Sequence, residues 1–451
     1  MPPTAPATHT TEDWTSLDHR VLGHPWITRE ESRRIVLVEG DGVWVTDSEG
    51  NRYLDAHGGA WLTQVGHGRV ELADVAAAQM SRLEHFTVGG IFTNTPAIEL
   101  ADRLVQKAPD NIAQVRFCTC GSEADDEALH FVHLYHQRLG RSDRNVVLAR
   151  RQGFHGRCYG GAALAGHTAA EGYGPMPGNV ELLSPPLPYH VEVHGEHDPT
   201  GFYVRELETA IERVGAARIA AMFAEPVMAS PGMVPPPEDY WPRMSEVLRA
   251  HDIMLVLDEV VTAFGRSGEW FAANHYGLQA DMIVTAKGIA SGYMPLAAIL
   301  LSASAAEVLD GASFGGSYGG HPTACAVGLA NMEILEREGL VEHSGEVGRY
   351  LMGRLRELHR HEVVGDVHGI GLMIGVELVA DRVTRAPLDV QGDLEAILRD
   401  EYRLLSTGLG NTIALTPPLV LTESEADSIV DSLDDLLGRV APDGSIAPPR
   451  K

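Results

Sequence analysis

The sequence predicts an α/β protein: a large domain on a central, mostly parallel sheet flanked by helices, plus a smaller α+β domain. Three observations predict it. Short apolar runs at 145–149 (NVVLA), 219–224 (IAAMFA), 253–258 (IMLVLD), 282–286 (MIVTA) and 296–302 (LAAILLS) read as strands buried on both faces. Amphipathic stretches at 70–83, 97–108, 122–140 and 240–252 alternate with them and read as helices. Residues 35–55 show strand patterning with breaks at Asp41-Gly42 and Glu49-Gly50-Asn51, the pattern of a β-meander.

The elements order themselves along the chain. Residues 1–70 form an N-terminal arm, loosely structured to about residue 30, and the meander, which we assign to the small domain. Residues 71–330 carry the large domain and end in a helix near 321–337. Residues 331–451 run helix, strand (LMIGVELV), helix, short strand and helix, which reads as a C-terminal small domain. Gly369, Gly371 and Gly375 superficially suggest a dinucleotide loop, but they precede a strand instead of opening a helix, so a turn is the better reading.

Composition narrows the function. The 451 residues are 44% hydrophobic and 22% charged, a globular balance long enough for more than one domain. The formal net charge of -27, from 62 acidic and 35 basic residues, repels nucleic acid and anionic membranes, so neither is an expected partner. No stretch approaches the ~20 apolar residues of a membrane span, and the N-terminus lacks a basic segment followed by an apolar run, so no secretory signal is expected. Four cysteines without C-x-x-C spacing fit a reducing, cytoplasmic setting. The 21 histidines are dispersed without H-E-x-x-H spacing, so no metal is expected.

Of the 35 basic residues only Lys107, Lys287 and Lys451 are lysines. Lys287 closes an apolar strand, as do Glu225 and Asp258, and a charge there needs a partner or a task. A desolvated lysine loses its proton readily and attacks carbonyls. A buried carboxylate can keep a heteroaromatic ring nitrogen protonated. Pyridoxal 5′-phosphate chemistry needs both, an amine to form the imine and an acid beneath the ring. A structural Asp258–Lys287 ion pair is the plain alternative.

A phosphate cradle is the third requirement. Gly121-Ser122-Glu123 opens a helix: Gly121 permits close backbone approach, the first amides favour an anion, and Ser122 can donate its hydroxyl or serve only as a cap. A second glycine cluster, Gly315–Gly320 with Ser317 inside it, precedes another helix.

Together these segments resemble the class III (ω-) aminotransferases, pyridoxal-phosphate enzymes of fold type I. The resemblance rests on nine motifs in order: Tyr53-Leu54-Asp55 with Trp61 and Gly66-His67-Gly68; Gly121-Ser122-Glu123-Ala124; Phe154-His155-Gly156; Glu225-Pro226-Val227; Asp258-Glu259-Val260 with Phe264-Gly265-Arg266; Thr285-Ala286-Lys287-Gly288; Tyr293-Met294-Pro295-Leu296; Ser317 through His321-Pro322; and Thr416-Pro417-Pro418-Leu419.

The resemblance implies a role for each. Lys287 binds the cofactor as a Schiff base and Asp258 pairs with its ring nitrogen. Gly121 and Ser122 hold phosphate, Val260 and Phe154 cover the two ring faces, and His155 and Glu225 support the site. Ser317 reaches the phosphate from a neighbouring subunit, which implies a homodimer with shared active sites. Trp61, Phe92, Ala229 and Thr407 shape the substrate pocket. Three positions depart from the family pattern: Phe154 stands where a tyrosine is usual, Ser317 where a threonine is usual, and Thr407 where many relatives carry a carboxylate-binding arginine. The implied activity moves an amino group from a primary amine or ω-amino acid to a keto acid, aldehyde or ketone, through pyridoxamine phosphate. An aminomutase, an epimerase or a decarboxylating transaminase would use the same lysine and aspartate. A protein that only binds the cofactor is a further alternative.

Overall fold

The structure is a computed structural model that describes residues 10–25, 34–166, 172, 178–195 and 197–449. Its centre is a seven-stranded sheet formed by β4 (Ile112–Cys118), β5 (Val146–Arg150), β6 (Val180–Leu183), β7 (Ile219–Ala224), β8 (Met254–Asp258), β9 (Met282–Thr285) and β10 (Ala297–Ser302). The spatial order is β4-β10-β9-β8-β7-β5-β6. All neighbours pair in parallel except β10, which runs antiparallel to both β4 and β9. The sheet is therefore mostly parallel, as expected.

Side chains alternate across this sheet, so each strand feeds two cores. Leu255 and Leu257 of β8 pack into one cluster with Met222, Ile283 and Leu300. Met254 and Val256 enter the other, with Phe223, Val284 and Ile299. The second cluster is closed by the helix Gly121–Arg138 through Ala124, Ala128, Phe131 and Val132.

The meander is present as β1 (Leu37–Asp41), β2 (Trp44–Asp47) and β3 (Arg52–Asp55), and Leu404–Leu405 (β14) adds to β3 in parallel. A tail sheet contains β11 (Val364–Ile370), β12 (Met373–Asp381), β13 (Ala386–Pro387), β15 (Thr407–Leu409) and β16 (Thr412–Leu415).

One expectation needs correction. The arm is not loose throughout: Thr11–Val21 is a helix, because Thr10 accepts from the Asp13 N–H while the Asp13 carboxylate accepts from the Thr10 N–H. Residues 1–9 and 26–33 of that arm lie outside the described residues. The 369–375 segment holds the expected turn, at Gly371-Leu372, as the tip of a hairpin. Gly369 belongs to β11, and the chain reverses at Gly371 between β11 and β12.

Candidate active site

Parallel strands deliver their carboxyl ends to one edge of the sheet, and the loops beyond those ends build a site there. From β4 comes Gly121-Ser122, from β5 Phe154-His155, from β7 Glu225, from β8 Asp258 and Val260, and from β9 Lys287. They surround a cavity of about 380 Å³ lined by Trp61, Gly121, Ser122, Phe154, Glu225, Ala229, Asp258, Val260 and Lys287 among others.

Lys287 lies at the first residue of a short 3-10 turn, with its backbone in the left-handed region at φ 45°. Its Nζ sits 4.6 Å from the centroid of the Trp61 ring. Trp61 is itself left-handed at φ 70°. Two non-glycine residues held in this unfavourable region, facing one another, show that the surrounding packing dictates their placement. Burial lowers the Lys287 amine to about 8, although Asp258 and Glu225 nearby act against the shift.

Asp258 is 4% exposed. Each of its oxygens has one partner here, with acceptor capacity to spare: His155 Nδ1 lies 2.8 Å from Oδ2, and the Val260 N–H donates to Oδ1 at 2.9 Å. Asp258 is thus paired with His155, and the structural Asp258–Lys287 ion pair is not the arrangement seen. Glu225 accepts the Phe154 N–H at 3.2 Å and the Ala229 N–H at 2.9 Å, so it ties two cavity walls together. Burial pushes its carboxyl up, against the pull of His155.

At the other end, Cys120 offers no side-chain cap to the helix Gly121–Arg138, which leaves the first-turn amides open to an anion. A Cβ on Gly121 would stand 3.1 Å from both Val260 methyls, and one on Gly156 (φ 90°) 2.6 Å from Ser122 Oγ. Glycine at both places keeps the cradle open. The Ser122 hydroxyl accepts the Arg157 N–H at 3.1 Å, leaving its own proton for a ligand.

An amine, an acid and an open helix start around one cavity, with Val260 and Phe154 also in its walls, match a phosphorylated heteroaromatic aldehyde. Pyridoxal phosphate fits this donor set.

The comparisons with known proteins agree. The family model "Aminotransferase class-III" matches residues 27–437. The putrescine–pyruvate aminotransferase of Pseudomonas aeruginosa is 36% identical over 437 residues, covering 93% of this chain and 94% of that one. The chain belongs to the class III aminotransferases. An (S)-enantioselective ω-transaminase from Thermomicrobium roseum has a similar structure, with TM-score 0.91 and 36% identity, covering 95% of this chain and 98% of the other. So does an amine transaminase from an uncultivated Pseudomonas species in a PLP-bound form, with TM-score 0.87 and 36% identity over 92% and 97%. The protein is a fold type I, pyridoxal-phosphate-dependent enzyme that moves an amino group from an amine donor to a keto acid.

Not every expected residue of this aminotransferase lines its own cavity. His155 is buried against Asp258 and does not line the cavity. Ser317 is exposed on the 311–320 loop, and Phe92 is 52% exposed beside Phe86. Neither lines the cavity of this chain. Thr407 stands behind Trp61, whose Nε1–H reaches its Oγ1 at 3.4 Å, while His57 Nδ1 meets the same hydroxyl.

Three residues escaped the sequence reading. His57 packs at Thr407, and burial lowers its imidazole pKa, with the Lys287 charge adding to the effect. Buried Arg150 donates to the Glu225 carbonyl and stacks on Trp241 at 5.4 Å. Asp125 lines the cavity three residues after Ser122, a helical spacing that could have flagged it.

Two outcomes follow for the cradle and the amine. Ser122→Ala should weaken cofactor affinity roughly tenfold or more, since a hydrogen bond to a charged oxygen contributes about 1.5 kcal/mol or more. Equilibrium binding to cofactor-stripped enzyme measures it, and unchanged affinity would leave Ser122, which is not the cap expected of it since Cys120 holds that position, only an acceptor for the Arg157 N–H. The Lys287 amine is nucleophilic only when unprotonated, and with its pKa lowered to about 8 it is free above that pH and protonated below. Cofactor uptake followed by absorbance should therefore accelerate as pH rises to about 8 and then level. Continued acceleration toward the ordinary lysine range would show that burial does not tune this amine.

Proposed function

We propose that this aminotransferase takes amines lacking a carboxylate beside the reacting carbon as donors, diamines included, and a small 2-oxo acid as acceptor. The observation that carries the donor preference is the Trp61–Thr407–His57 contact, which places a neutral hydroxyl behind the pocket wall. Val227, Ala229, Val261 and Met294 line the cavity with Trp61, an apolar surface suited to a carbon chain. The similarity to a putrescine–pyruvate aminotransferase supports both halves of the assignment.

The residue roles belong to the same proposal. Bound pyridoxal phosphate supplies an aldehyde for the Lys287 amine and a ring that accepts electron density from the reacting carbon. Lys287 Nζ anchors the cofactor, then carries the proton between the substrate carbon and the cofactor carbon. Asp258, steadied by His155 and the Val260 N–H, holds the proton on the ring nitrogen. Gly121 and Ser122 hold the phosphate, Val260 and Phe154 fix the ring plane, and Trp61 narrows the approach to Nζ.

Putrescine should convert the cofactor absorbance to that of the amine form, and pyruvate should restore it with release of alanine, read by mass spectrometry. Turnover confined to α-amino acid donors would overturn the donor assignment.

We further place Ser317 at the phosphate of a second copy of the chain. Ser317 is exposed in a surface that includes Tyr318, Phe86, Val88, Ile91 and Phe92, an apolar patch suited to burial between subunits. Light scattering should return a dimer, and a monomeric active species would remove this reading. Among the described residues no helix is long and apolar enough to cross a membrane. The four cysteines are unpaired, which supports a reducing cytoplasmic setting that cell fractionation would check.

A further inference from the structure

One acid in the cavity has no part in the roles above. Asp125 sits one turn into the helix Gly121–Arg138, 1% exposed, and its Oδ1 has no hydrogen-bond partner. It lines the cofactor cavity. One side-chain ligand atom each of Asp125, His155 and Asp258 lie within 4.8 Å of one another, all three residues buried.

Two carboxylates this close in an apolar setting do not both stay ionised. The donors decide which one keeps a proton. Asp258 receives the Val260 N–H and lies against His155, so each of its oxygens has a partner. Asp125 Oδ1 receives nothing.

We propose that Asp125 is a second, proton-holding carboxyl at the ring-nitrogen end of the cofactor cavity, so that the Asp125–His155–Asp258 cluster meets the bound ring with one negative charge instead of two. Asp125 is a positioning residue in this scheme. It limits how tightly the ring nitrogen holds its proton, because its own ionisation would place a second anion beside Asp258.

The surrounding groups reinforce the neutral form. Burial comes first, then Asp258 and Glu225 from the strand ends, then Asp126 and Cys120 from its own helix region, and together they push the Asp125 carboxyl well above the ordinary range. Lys287 faces the same cavity with a lowered amine pKa, and so offers a weakened opposing charge. The helix Tyr159–Leu164 packs against Asp125 at Gly161, and its titratable members are Tyr159 and the capping Cys158. Neither Tyr159 nor Cys158 supplies a cation that would hold Asp125 ionised.

The proposal rests on Asp258 facing the ring nitrogen. Its test reads the holoenzyme by spectroscopy. At neutral pH the infrared difference spectrum of wild-type holoenzyme minus Asp125→Asn should show the carbonyl band of a protonated carboxylic acid. The wild-type cofactor absorbance should also pass through an alkaline step as Asp125 ionises, a step lost in Asp125→Asn while cofactor remains bound. A difference spectrum without that band, or an alkaline step that persists in the variant, overturns the proposal. If Asp125→Asn does not fold, Asp125→Ser is read by the same two criteria. Failure of the Asp258 assignment is seen separately: Asp258→Asn would then leave the pH dependence of the cofactor spectrum intact.

Discussion

Lys287→Ala should lower transamination by roughly ten-thousand-fold or more, because the variant loses the covalent anchor of the cofactor and the carrier of the proton together. The loss should fall on chemistry and not on folding. Lys287 already holds a left-handed backbone, and alanine pays a similar conformational cost there. Removing an amine whose charge is disfavoured by burial should leave the melting temperature level or raise it. Steady-state kinetics with a thermal melt separates the two. A small added amine should restore part of the activity, since it can carry the proton if it enters beside Trp61. Turnover within tenfold of wild type would refute the assignment of Lys287.

Asp258→Asn should cost about a thousand-fold in kcat with a much smaller change in KM, an effect of the size seen when a preorganised electrostatic partner is removed from a water-excluded site. The side-chain volume hardly changes, and an amide oxygen can still accept the Val260 N–H or the proton of His155 Nδ1. What disappears is the anion that keeps a proton on the ring nitrogen. The signature is therefore a slow chemical step at near-normal substrate binding. A variant with kcat within tenfold of wild type would place the electron sink elsewhere.

The expected strands and the missed ones differ in a physical way. The five runs read as strands correspond to β5, β7, β8, β9 and β10, and every residue of those strands is buried. The two missed strands, β4 and β6, are the edges of the sheet. In β4, Gln114 and Arg116 interrupt the apolar run, and in β6 only Leu183 is fully buried. An edge strand is covered less completely, so its sequence carries less of the apolar signal. The same holds for β11, an edge of the tail sheet that carries Gly365, Asp366 and His368.

The site divides along a similar line. By itself the sequence determined the chemistry. A lysine at the end of an apolar strand, an aspartate ending another, and a glycine-serine helix start announce an amine, an acid and an anion cradle, because each costs free energy there unless it has work to do. Only the tertiary structure decided the pairings. That Asp258 is matched to His155 and not to Lys287, that Thr407 meets Trp61 and His57, and that Asp125 stands unpartnered beside Asp258 all depend on contacts between distant segments. Residue type and local spacing record the burial of a charge. Its partner and its protonation follow from the distances, desolvation and donors that exist only once the strand ends have converged.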